Sequence, residues 1–230
     1  MSDAPHSDLK IRLLEAAEMH VAFDGWSDAT FEAAVSETEI DPTVARALCP
    51  RGAVDLAVAY HRRGDSQMVA ALAETDLEAM KIREKITFAV RKRLEVCTDR
   101  EAVRRGTTLF SLPQHAAQGA ELIWGTCDAI WTAIGDTSRD FNWYSKRATL
   151  SAVYGSTVLY WLGDESEGQE ATWAFLDRRI ENVMQFEKTK AQFNASPMGK
   201  LMAAPLEMLN RIKAPEHRTD MPGSWTPPRT

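Results

Sequence analysis

The chain has 230 residues, enough for one large domain or two small ones sharing an interface, and its 44% apolar and 26% charged content is that of a folded globular protein. No stretch approaches the roughly 18 unbroken apolar residues of a spanning helix, and the opening MSDAPHSDLK has neither the apolar core of a secretory signal nor the arginines of a transit sequence. The net charge of −6 argues against a general polyanion binder, and three cysteines without a CxxC argue against a disulfide framework, so a reducing cytoplasm is expected. The N-terminal periodicity predicts a helix over about 8–20, with Ile11, Leu14 and Met19 or Val21 on its inner side, ended by Gly25 as a C-terminal cap. Ser27 caps a second helix running to about Thr38, and Asp41-Pro42 starts a short third one over 42–48. Three short helices followed by longer ones is the opening of a helix-turn-helix regulator.

Residues 54–94 again read as helical, with an expected break at Gly64-Asp65. In the later part Ile82, Ile86, Val90 and Leu94 share one side, and basic residues occupy much of the rest. A polar break is expected at 98–107, after which Pro113 restarts the chain and a helix runs over about 114–134 with Ile123, Cys127, Ile130 and Ile134 on one stripe. The segment 138–162 carries two apolar stripes, Phe141, Tyr144, Ala148, Gly155, Leu159 and Leu162 on one side and Trp143, Leu150, Tyr154, Thr157 and Trp161 on the other. A helix apolar nearly all round is buried centrally or faces something apolar that is not protein. A further helix covers about 167–190, with Trp173, Leu176, Ile180 and Val183 inward. The segment 197–213 places Leu201, Met202, Leu206, Met208, Leu209 and Ile212 broadly on one face with lysine and arginine around them, the pattern of an interfacial membrane helix, although Pro205 kinks it. The expected organisation is therefore a helix-turn-helix-like region over 1–64, a helical domain over 65–195, the amphipathic helix over 196–213 and a tail over 214–230.

Motifs for catalysis are missing. The sequence has no GxGxxG, P-loop, GxSxG or HExxH, and no zinc-spaced Cys/His cluster. Residues three before His20, His61, His115 and His217 are Ala17, Val58, Leu112 and Ala214, so no Glu-x-x-His di-iron motif exists. A Ser-His-Asp triad assembles across a fold and leaves no spacing to read. His115, beside Pro113 at a helix start, reads as a capping or hydrogen-bonding histidine rather than a base. No cofactor is expected. Nucleic acid is not expected as a partner either: residues 1–65 hold six Lys/Arg against twelve Asp/Glu, and the would-be recognition helix offers only Arg46.

Three segments together carry a family resemblance. HVAFDGWSDATFEAA (residues 20–34), FNWYSKRATLSAVYGSTVLYWL (141–162) and ATWAFLDRRIENVM (171–184) contain, in order, a Trp-Tyr-x-[Lys/Arg]-Arg run and a Thr-Trp-x-Phe-Leu-x-x-Arg run. Over roughly residues 8–190 the chain resembles the ninth Coq family, accessory proteins of ubiquinone (coenzyme Q) biosynthesis, in a bacterial version. The resemblance implies an all-α, TetR-regulator-like fold that has given up DNA binding, in a protein that is not an enzyme. It implies binding of isoprenoid or quinone lipid, peripheral attachment to the inner membrane, homodimerisation, and service to the di-iron hydroxylase that acts on demethoxyubiquinone. The alternative on the residues alone is a ligand-responsive TetR-like regulator. By the resemblance, Trp143, Tyr144 and Arg147 form the partner-binding surface. The proposed lipid lining is Trp124, Trp131, Leu150, Tyr154, Val158, Trp161, Trp173 and Leu176, some of which are expected to be plain core.

Overall fold

The structure is a computed structural model that describes residues 4–195 and residue 213. Among the described residues the chain forms nine α-helices: α1 (Ala4–Asp24), α2 (Asp28–Thr38), α3 (Pro42–Leu48), α4 (Ala53–Ala73), α5 (Ile82–Glu95), α6 (Arg100–Ser111), α7 (Ala116–Ala133), α8 (Phe141–Leu162) and α9 (Glu170–Ala195), the last preceded by a 3-10 turn at Glu167–Gln169. None of the described helices is long and apolar enough to cross a membrane.

Local chemistry explains the boundaries. Gly25 takes φ of +67° after α1, a conformation costly for residues with a Cβ, and its N–H donates to the Val21 carbonyl. Ser27 Oγ then accepts from the Thr30 N–H, and Asp41 Oδ1 accepts from Thr43 and Val44, so α2 and α3 start where the caps predict. Asp140 and Asp99 cap α8 and α6 in the same way.

Two expectations fail here, each for a physical reason. Gly64 does not break α4: the helix passes through it, and the missing side chain serves packing, since the Arg93 guanidinium from α5 lies against the bare Cα. A Cβ at residue 64 would sit 2.7 Å from Arg93 Nη1. The interruption comes instead at 74–81. The polar segment 98–107 is mostly helix, since α6 covers all but its first residues. Arg104 and Arg105 face outward, while Ala102, Val103, Gly106, Thr107 and Phe110 return at helical spacing on the inner side.

The inner face of α1 also differs from expectation: Leu13, Leu14, Ala17 and Val21 are buried, whereas Ile11 and Met19 are exposed. In α5 Ala89, Val90 and Leu94 point into the core, and Ile82 is exposed. The buried side chains fall into two clusters. One joins α1–α3 and the start of α4 around Trp26, Phe31 and Leu56. The other joins the rest of α4 to α5, α7, α8 and α9 around Met68, Val90, Ile130, Leu150 and Leu176. Helix α6 touches both, with Ala102 in the first cluster and Val103 against the second.

Candidate functional site: an apolar cavity with a polar floor

A cavity of about 470 Å³ opens where α4, α5, α6, α7 and α8 meet. This lies within the size range of pockets that take small organic ligands, about 300–1,000 Å³. Its walls are largely apolar: Leu94, Val103, Phe110, Ile123, Val158 and Leu159 supply much of them. Leu159 and Ser111 are exposed and mark the opening, whereas Arg93, Ala102 and Tyr154 are buried and mark the inner end. Helix α6 forms one whole side. Trp26 closes the cavity toward the N-terminal helices and donates its indole N–H to the Ala102 carbonyl at 3.1 Å.

The inner end is polar and internally satisfied. Arg93 Nε donates to Asp65 Oδ1 at 2.7 Å, and its two terminal nitrogens donate to Cys97 Sγ and the His61 carbonyl. Thr126 Oγ1 donates to the same Asp65 oxygen at 2.8 Å, and His61 Nε2 lies 2.8 Å from Thr126 Oγ1. Burial, helped by the nearby Arg93 charge, pushes the His61 imidazole down to about 4. The folded protein therefore keeps His61 neutral at pH 7, and the unfolded chain takes a proton near the ordinary value of about 6.5. Stability is then full above pH 6.5 and falls as the pH drops toward 4, by roughly 1.4 kcal/mol per unit and about 3 kcal/mol in all. Urea unfolding between pH 7 and 4.5 should show this slope for the wild type and a clearly shallower one for His61→Gln; equal slopes would contradict it.

The residues singled out in the sequence are not brought to one place. Tyr154 and Val158 line the large cavity. Trp131 and Leu150 line a smaller one of about 220 Å³ between α5, α7, α8 and α9. The other four of the proposed lipid lining meet neither. Leu176 is fully buried core. Trp161 is also buried, donating to Gln169 Oε1 at 2.7 Å beneath the Arg100 guanidinium. Trp173 donates to the Gly168 carbonyl with Arg91 stacked over it. Trp124 instead joins Trp143 and Tyr144, at ring separations of 5.9 and 6.5 Å, in a half-exposed aromatic patch.

Arg147 does not belong to the surface of that patch. It is 2% exposed, paired with Asp128 and Asp136, and its guanidinium lies 4.1 Å from the Trp143 ring centre. It braces the aromatics from behind. His115 occupies the N-cap of α7, yet its side chain makes no capping bond. The membrane-facing set Leu201, Met202, Leu206, Met208, Leu209 and Ile212 lies outside the described residues. Sequence reasoning missed most of the cavity wall, in particular Val103, Gly106, Thr107 and Phe110 of α6; their spacing was the signal, hidden by the charged residues between them. Among the described residues no group of three or more His, Cys, Asp and Glu side chains is placed to hold a metal ion.

Against known proteins, the helices that carry the aromatic patch and much of the cavity match one family. Residues 116–187 match the COQ9 family model. The similarity to COQ9 proteins extends well beyond those residues. The chain is 30% identical to the mitochondrial ubiquinone biosynthesis protein COQ9 of Drosophila melanogaster over 189 residues, 80% of this chain and 58% of that protein. It is 32% identical to COQ9 of Xenopus tropicalis over 76% of this chain and 58% of that protein. With human COQ9 it shares 35% identity over 92 residues, 40% of this chain and 29% of that protein. The chain thus spans about three fifths of the length of the COQ9 relatives it matches most extensively. Its fold is TetR-like: a TetR transcriptional regulator from Nitrosomonas europaea superposes with a TM-score of 0.63, at 18% identity, covering 77% of this chain and 99% of the regulator.

Proposed function

We propose that this chain is a non-catalytic, lipid-binding protein of ubiquinone biosynthesis, which holds a prenylated quinone intermediate and presents it to the di-iron demethoxyubiquinone hydroxylase. The observation that carries the reading is the 470 Å³ cavity with its apolar walls, set inside a fold whose COQ9 relatives are named for ubiquinone biosynthesis. A polyprenyl tail contributes about 0.8 kcal/mol for each methylene-sized unit it buries, so such a cavity binds without charged partners. Part of a long tail would extend past Leu159, and Leu159 and Leu112 offer it exposed apolar surface. The Trp124–Trp143–Tyr144 patch supports a docking role, because half-exposed aromatics with a rigid backing typify interface hot spots. Leu201, Leu206, Leu209 and their neighbours would hold the protein at the inner-membrane surface where such lipids reside.

The TetR-like fold does not by itself argue for DNA binding, since fold and function are separable. Arg46 of α3 is stacked over Phe31 at 4.6 Å, and the surrounding N-terminal region carries a charge balance that repels phosphate. Solvent extraction of protein purified from a quinone-containing host should release an isoprenoid quinone or its precursor in near-stoichiometric amount by mass spectrometry. Protein that folds, yet carries no isoprenoid and takes none up from vesicles, would overturn the proposal.

A further inference from the structure

Tyr154 stands at the inner end of the cavity and is 3% exposed. The polar side chains around it are occupied with one another: Arg93 with Asp65 and Cys97, Thr126 with Asp65 and His61. The Tyr154 hydroxyl has no hydrogen-bond partner among the described residues, although a buried phenol ordinarily finds one. It is not sealed away either, because it faces the cavity space. A donor left open at the closed end of an apolar cavity calls for an acceptor brought by a ligand.

The charge of the site narrows the ligand class. Arg93 is the charged residue of the lining, and its charge is already met by Asp65. An anionic head such as a carboxylate or phosphate would be desolvated there without a free cation to meet it. A neutral carbonyl or ring hydroxyl needs only the Tyr154 donor. Direction follows from α8: Val158 and Leu159 lie one turn further along the helix, about 6–8 Å toward the opening, and are apolar. We propose that the inner end of the cavity is a head-group site for a neutral ring oxygen, which accepts from the Tyr154 hydroxyl while the tail leaves past Leu159. This rests on the lipid-binding reading above and adds the class and orientation of the head.

The test is titration of the full chain and of Tyr154→Phe with three probes whose alkyl tails have nine or ten carbons: 2-decyl-1,4-benzoquinone, decylbenzene and decanoate. Because the hydroxyl has no partner among the described residues, Tyr154→Phe should fold with an unchanged melting temperature. Its affinity for the quinone should fall about fivefold, the equivalent of one ordinary hydrogen bond. Decylbenzene should bind both proteins equally, and decanoate should bind the wild type more weakly than the quinone. Equal quinone affinity in the two proteins, or decanoate binding as tightly as the quinone, would overturn the head-group site while leaving the lipid cavity standing. Failure of the wild type to bind any of the three would overturn both.

Discussion

Arg147→Ala should cost about 3–5 kcal/mol of folding stability, the ordinary penalty for removing one partner of a buried ion pair. The loss is centred on Asp136, whose side chain is 3% exposed. Burial works against the charged form of that carboxyl, yet Lys146, Ser138 and Arg147 together hold it down at about 2. Alanine leaves Asp136 with Lys146 and Ser138, whose contacts at 2.7 and 2.8 Å place the effect at the lower end of the range. Asp128 is 39% exposed and adds little. The same substitution removes the cation behind the Trp143 ring, so the aromatic patch should loosen together with the fold. Urea midpoints of the two proteins measure this; a loss below 1 kcal/mol would show that Arg147 is not the brace. Trp143→Lys separates structure from docking, since it changes a half-exposed ring: circular dichroism should be unaltered while capture of the hydroxylase is lost. Loss of both, or of neither, would contradict the assignment of the patch.

Gly155→Phe should weaken ligand binding at least about tenfold with no loss of stability. Gly155 lines the large cavity from α8, and a Cβ built on it meets only Ile123 Cδ1, at 4.0 Å. The backbone there is ordinary helix, so a side chain is accepted without strain and replaces the residue least favourable to helix apart from proline. The new ring must project into space that the ligand would use. Helix propensity favours the variant by about 0.5 kcal/mol, and the added apolar contact works in the same direction, so the melting temperature should hold or rise by a few degrees. A matched control is Gly125→Phe on α7, an exposed position whose Cβ meets nothing within 4 Å.

How far the residues alone led depended on whether an element is decided locally. Helices α2 and α3 were legible to the residue because Ser27, Asp41 and Pro42 act within their own first turn. The fold class followed from the periodicity and the family resemblance. Helix α6 was not legible, because its arginines and Glu101 gave the segment the composition of a loop, whereas its apolar face is defined only by the neighbours it meets. The room that Gly64 leaves within α4 is taken by Arg93, 29 positions away, and no local pattern announces that contact. At the site, aromatic content was a poor guide to the cavity. Trp161 and Trp173 spend their indole N–H groups on Gln169 and Gly168, and Trp124 serves the surface patch. Tyr154 and Val158, which share one side of α8, line the large cavity. The polar floor was invisible for the same reason as α6: His61, Asp65, Arg93 and Thr126 come from three helices and converge only in the fold.

One equilibrium titration tests most directly whether the cavity is the place where lipid is held. Wild type, Gly155→Phe and Gly125→Phe would each be titrated with 2-decyl-1,4-benzoquinone, with a thermal melt of each protein alongside. The cavity account predicts binding by the wild type and by Gly125→Phe with the same Kd, and binding at least about tenfold weaker by Gly155→Phe, about 1.4 kcal/mol or more, at an undiminished melting temperature. A Gly155→Phe protein that folds and binds the quinone as tightly as the wild type would contradict it.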